Sequence, residues 1–218
     1  LWVILCTHAI DPETSASSSK MEPDTRIVGG TNAKVGDVPS GYHFCGGTLI
    51  FSEWVLTAAH YKSHKSDIIN KKPGDFQIVV GTLKRSGDGG KFYDVDSIFM
   101  HEDYDNKTLA NDIAVIKATT YIRYDRPAID KITLATREVP TGAKCTVSGW
   151  GFTDPNTYRI ETKIFICKTM GDSGGPLIYQ DEVVGVVSFN YPCARGAPDG
   201  FTRVFPYRKW IKKIVLDN

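Results

Sequence analysis

Short apolar runs separated by turn-forming residues set the pattern of the chain. Residues 47–50, 77–80, 113–116, 146–148 and 183–188 are such runs, and Gly, Pro and Asp punctuate the stretches between them. Their brevity and their Val and Ile content predict strands rather than helices. Many short strands with almost no long helical period imply an all-β architecture, an antiparallel barrel or sandwich. One helix is predicted near the C-terminus. Pro206 suits a first helical position, and Tyr207, Trp210, Ile211, Ile214 and Val215 fall at the i, i+3, i+4, i+7 spacing of a buried face. Arg208, Lys209, Lys212 and Lys213 then form its solvated face rather than a site for a polyanion. There is no internal repeat.

Two N-terminal stretches break this pattern. Residues 1–10 are mostly apolar with no charge before Asp11, and Thr7-His8-Ala9 offers small residues for a signal-peptidase cut. Residues 1–9 therefore read as the remnant of a secretory leader, with a strand or an arm as the alternative. Residues 11–25, DPETSASSSKMEPDT, have no apolar period to drive packing, so 10–26 reads as a flexible propeptide and 27–218 as the folded domain. No other apolar run approaches the roughly 20 residues that span a bilayer. The expectation is a secreted, extracellular protein with no membrane partner.

Composition narrows the partners. The chain has 218 residues, 41% of them hydrophobic, enough for one sizeable core or two small ones. Its 26 basic and 25 acidic residues are interspersed and sum to +1. The electrostatic footprint of a nucleic-acid or anionic-membrane binder is missing. Five cysteines suit an oxidising compartment, and Cys45, Cys145, Cys167 and Cys193 follow the presumed leader, which holds Cys6. Their spacings match no zinc ligand set and no calcium loop is recognisable, so no metal or cofactor is expected. Asn106-Lys107-Thr108 is a glycosylation acceptor if the chain is secreted.

The candidate chemistry lies at Gly171-Asp172-Ser173-Gly174-Gly175. Glycines around a serine let the backbone turn tightly and let a carbonyl approach main-chain N–H groups, as an oxyanion hole requires. A serine hydroxyl is a poor nucleophile at neutral pH. It needs a histidine to take its proton and a carboxylate to orient that histidine. Gly-x-Ser-x-Gly also marks a nucleophile elbow in which the histidine follows the serine. Here His8, His43, His60, His64 and His101 all precede Ser173, which excludes that arrangement. An order of Asp, His, Ser on a parallel sheet lacks its context, and the order left is His, Asp, Ser. His60 ends the run Trp54-Val55-Leu56-Thr57-Ala58-Ala59-His60, which seats an imidazole on packed backbone. Asp112 opens the run Asn111-Asp112-Ile113-Ala114-Val115-Ile116, at the mouth of a buried strand where a carboxylate needs a donor such as His60.

LTAAH, NDIAVIK and GDSGGP, preceded by Arg26-Ile27-Val28-Gly29-Gly30, resemble the trypsin/chymotrypsin-like serine peptidases over residues 27–218. The pocket features are closest to invertebrate trypsin-like or serine collagenase-like enzymes. The resemblance implies two antiparallel β-barrels with the site in the cleft between them and a C-terminal helix outside. It implies His60, Asp112 and Ser173 as catalytic residues and the Gly171 and Ser173 N–H groups as the oxyanion hole. Cleavage after Arg26 by a trypsin-like protease would free the Ile27 α-amine to pair with Asp172, and His43 matches a position that can hold that aspartate beforehand. Ser188, Phe189 and Asn190 resemble the segment that pairs with the substrate backbone. Asn190 stands where glycine is frequent and would narrow the pocket entrance. Asp199 at the pocket base would bind Arg or Lys, with an ordinary Pro-Asp-Gly turn as the alternative. Protein or peptide substrates, protein inhibitors and a monomeric state are implied too.

The chain departs from that family in both barrels. Only Ser40, Gly41 and Tyr42 separate Pro39 from His43, where a strand is usual, and the stretch between Trp150 and Gly171 is short. Tyr61 and Tyr179 stand where the partners of Cys45 and Cys145 are expected, leaving Cys167 and Cys193 as the candidate disulfide. A non-catalytic secreted homologue acting as a binding or regulatory module, or a product lacking an exon, is the alternative reading. Retention of all three catalytic residue types favours the peptidase.

Overall fold

The computed structural model describes residues 4–8, 42–60, 72–84, 87–149, 173–189 and 200–218, with 4–8 and 42–44 as backbone only. Six strands close a barrel in the order β1-β2-β3-β6-β5-β4. They are β1 (Ile4–His8), β2 (Tyr42–Phe51), β3 (Trp54–Thr57), β4 (Phe76–Val80), β5 (Lys91–Met100) and β6 (Ala114–Ala118). A second antiparallel sheet runs β11-β10-β9-β8, built from β8 (Thr146–Val147), β9 (Pro176–Tyr179), β10 (Glu182–Phe189) and β11 (Gly200–Arg203). The short β7 (Thr133–Leu134) joins β10 in parallel. A 3-10 turn at Phe205–Tyr207 leads into the helix α1 (Arg208–Asp217). This is the all-β architecture with one C-terminal helix that the apolar pattern predicts.

The strands that read most clearly in the sequence are the barrel strands whose outer face packs against the second core. Successive strand side chains point to opposite faces. Along β3, Val55 packs into the barrel core with Leu49, Ile78 and Ile116, whereas Trp54 and Leu56 pack into a second core with Val115, Val183 and Val186. β6 divides the same way, with Ala114 and Ile116 on one side and Val115 on the other. A strand buried on both faces must be apolar at every position, so it appears as a continuous run. β5 is the opposite case. Only Val95 is fully buried along its ten residues, and no apolar run betrays it.

The helix begins two residues later than predicted, because Pro206 sits in the 3-10 turn and Arg208 starts the α-helical hydrogen bonding. Its buried face is as expected: Ile211 is fully buried, and Trp210, Ile214 and Val215 pack against the second core. The segment expected to be a leader remnant, 1–9, contains β1, which pairs with both β2 and β4. No helix among the described residues is long and apolar enough to cross a membrane. Arg26, Ile27, Gly171, Asp172, Asn190, Asp199, Cys167 and Cys193 lie outside the described residues.

Candidate active site

Asp112 is completely buried, two residues before β6. A carboxylate out of water is costly unless its lone pairs meet donors, and three converge here. The His60 backbone N–H donates to Oδ1 at 2.8 Å, His60 Nδ1 lies 2.6 Å from Oδ2, and the Ser188 hydroxyl donates to the same Oδ2. Burial alone pushes the Asp112 carboxyl up. The hydrogen bond and charge of His60, the Ser188 O–H and the His60 N–H more than offset it, so it is held below the ordinary aspartate range. An ionised Asp112 can only accept, so His60 Nδ1 must carry a proton. In the neutral ring Nε2 is then left with a lone pair.

The backbone around Asp112 is fixed from two sides. Thr202 Oγ1 donates to the Asp112 carbonyl at 2.8 Å, joining it to β11 of the second sheet. Asn111 has φ of 55°, a left-handed conformation that Asn tolerates better than most residues. Its side chain accepts from Tyr207 Oη at 2.7 Å and donates to the Asp103 carbonyl at 2.8 Å. The turn at Phe205–Tyr207 thereby grips the residue preceding the carboxylate. His101 packs between the Tyr207 and Trp210 rings, with centroids 5.2 and 5.0 Å away, and Trp210 Nε1 donates to Glu102 at 2.8 Å. The loop bearing Asp112 is thus tied to α1.

Ser173 lies in a turn immediately before β9, and its backbone bridges the two halves of the molecule. Its carbonyl accepts from the Gly46 N–H of β2 at 2.7 Å and from Cys45 Sγ at 2.7 Å. The next residue, Gly174, donates its N–H to the Val187 carbonyl of β10 at 2.8 Å. Gly174 has φ of +82°, and a Cβ there would stand 2.2 Å from Thr57 Oγ1 and 2.3 Å from the Gly46 carbonyl. Only glycine fits. The turn carrying Ser173 is therefore pressed onto the strands β2 and β3, and β3 runs directly to His60.

Ser188 opens the segment expected to pair with the substrate backbone; its hydroxyl faces inward to Asp112, and Ser188 is only 6% exposed. Phe189, the next residue, is 45% exposed, and its ring lies over Gly200, where a Cβ would come within 2.2 Å of the ring. An open cavity of about 260 Å³ adjoins this edge, lined in part by Leu109, Asn111, Phe189, Phe201 and Tyr207. Asn106 is exposed at the far end of the loop, beside a turn in which Asp105 accepts from Lys107 N–H and Thr108 Oγ1 at 2.8 Å each. Cys145 carries a free thiol near the second core. Sequence reasoning missed the roles of Thr202 and Tyr207, whose partners are 90 and 96 residues away and leave no local signal.

Comparisons with known proteins identify the family. A family model described as Trypsin matches residues 27–165 and 156–211. Serine protease 1 of Homo sapiens is 33% identical over 245 residues, covering 94% of this chain and 95% of that protein. Trypsin of Xenopus laevis is 32% identical, covering 90% of this chain and 93% of its own. Trypsin-3 of Salmo salar is 32% identical, covering 90% and 96%. The chain belongs to the trypsin-like family of serine peptidases.

Proposed function

We propose that the chain is the precursor of a secreted serine endopeptidase that hydrolyses peptide bonds through an acyl-enzyme. The observation that carries this reading is the buried Asp112 holding His60 Nδ1 at 2.6 Å, which leaves Nε2 as the basic nitrogen of the ring. Ser173 Oγ attacks the scissile carbonyl carbon while His60 Nε2 takes its proton, and Asp112 stabilises the imidazolium that results. The carbonyl oxygen becomes an oxyanion held by the Gly171 and Ser173 N–H groups. Collapse breaks the C–N bond, and the imidazolium gives its proton to the departing amine. Water then adds to the acyl-enzyme by the same route, releasing the acid and restoring Ser173.

Activation follows cleavage between Arg26 and Ile27 by a trypsin-like protease. The new α-amine pairs with Asp172, which sets the N–H groups of Gly171 and Ser173 only in the cut form. The substrate backbone pairs along Ser188, Phe189 and Asn190, and Asp199 attracts basic side chains into a pocket that Asn190 narrows, giving broad cleavage preference. Substrates are proteins and peptides, protein inhibitors occupy the same cleft, and the active species is a monomer. No metal or cofactor takes part in the steps above. The test is to treat the precursor with trypsin, confirm Ile27 as a new N-terminus and titrate active sites with a burst substrate. A stoichiometric burst supports the reading, and folded protein with Ile27 exposed and no burst contradicts it.

A further inference from the structure

The first barrel is closed by a strand that precedes the whole matched domain. Ile4–His8 of β1 lies between β2 and β4, and the same residues serve both neighbours. Leu5 stands opposite Gly46 on one side and Val79 on the other, and Cys6 opposite Cys45 and Ile78. Without β1, the edges of β2 and β4 would face each other across two strand spacings, about 9.5 Å, too far for a ladder. Cys45 and Leu49 of β2 and Phe76, Ile78 and Val80 of β4 share one core and are at most 3% exposed. An open slot would admit water to that core and leave two rows of backbone groups unpaired.

We propose that the gap between β2 and β4 is a strand-acceptor site, that Ile4–His8 occupies it in cis, and that this segment stays seated when the chain is cut before Ile27. The processed molecule then has two chains. Cleavage at Arg26 rests on the function proposed above, whereas the acceptor site rests on strand register alone. Residues 9–41, 33 in all, join β1 to β2. Fully extended, such a link reaches roughly 100 Å, so it raises the local concentration of the strand without dictating its geometry. Added strands bind through main-chain hydrogen bonds to an exposed sheet edge, and here both edges are available. The ligand class is an extended segment of about five residues, apolar over its first three. This assigns residues 4–8 a lasting place in the barrel, where a leader remnant would be dispensable.

The experiment replaces residues 16–19 with a recognition sequence for a site-specific protease, in a Ser173→Ala chain that cannot digest itself. The folded protein is cut and examined by gel filtration and native mass spectrometry. A 1:1 complex of fragment and body that separates only in denaturant is expected. A fragment that leaves while the body keeps its fold and Tm overturns the proposal. Leu5→Pro removes a ladder donor and should release the fragment on cutting; retention despite the proline also overturns it. The same cut in a chain keeping Ser173 separates the two readings. A retained fragment with no burst after Ile27 is exposed leaves the acceptor site standing and sinks the peptidase.

Discussion

Ser188 Oγ and His60 Nδ1 meet on one oxygen of Asp112, Oδ2, although Ser188 is 76 residues from the aspartate in sequence and His60 is 52. The hydroxyl comes from β10 of the second sheet and the imidazole from the end of the run that forms β3. Correct placement of the histidine therefore requires both halves of the molecule to be docked.

Ser188→Ala removes one donor from a buried carboxylate. Hydrogen bonds to charged groups contribute about 1.5–3 kcal/mol, so kcat/KM is expected to fall by about tenfold or more. The fold should persist, since Asp112 keeps both bonds from His60. Near-UV circular dichroism beside steady-state kinetics checks this. An unchanged kcat/KM would mean that the hydroxyl does not orient the carboxylate.

Gly174→Ala places a methyl group 2.2 Å from Thr57 Oγ1 and 2.3 Å from the Gly46 carbonyl. The turn must lift off β2, breaking the Gly46 N–H bond to the Ser173 carbonyl. Activity should drop at least a hundredfold and Tm should fall. Adding Thr57→Ala should not rescue either, because the Gly46 carbonyl still blocks the site. Rescue by the double variant would assign the clash to the hydroxyl alone.

The Asp112 carboxyl is held below the ordinary aspartate range when folded. A depressed folded value contributes stability that is fully present above the unfolded value, about 3.9, and is lost as pH falls through the lower folded one. Denaturant titrations of the wild type and Asp112→Asn from pH 7 to pH 3 should show their stability gap largest near neutrality and shrinking only at the acid end. A gap that vanishes already by pH 6 would contradict the assignment. In activity, Asp112→Asn should cost on the order of 10⁴-fold in kcat.

Tyr207→Phe deletes the O–H that Asn111 accepts at 2.7 Å. The loss should be about 1 kcal/mol of stability, with kcat reduced a few-fold because Asn111 sets the backbone entering Asp112. Asn111→Gly, which accepts the left-handed φ of 55° without a side-chain anchor, should show the same kinetic effect. A kinetic effect in neither variant would confine the Tyr207 contact to stability.

Much of this was legible in the sequence, for physical reasons that differ by element. β3 and β6 were legible because burial on both faces makes Trp54–Leu56 and Ala114–Ile116 continuous apolar runs, and His60 and Asp112 stand close to their ends. β5 was not, since most of its residues reach the surface. β1 could not be told from a leader remnant, because an uncharged apolar stretch satisfies a leader and a barrel strand equally well. The inward turn of Ser188 was hidden because a strand position reveals alternation, not which face a distant carboxylate occupies.

The most direct measurement is labelling with a biotinylated organophosphonate after cleavage at Arg26, with the modified residue located by mass spectrometry. Covalent modification of Ser173 at near-stoichiometric yield, absent in the uncut precursor and in His60→Ala, is the predicted result. Folded, cut protein that leaves Ser173 unmodified would contradict a nucleophile activated by His60 and Asp112.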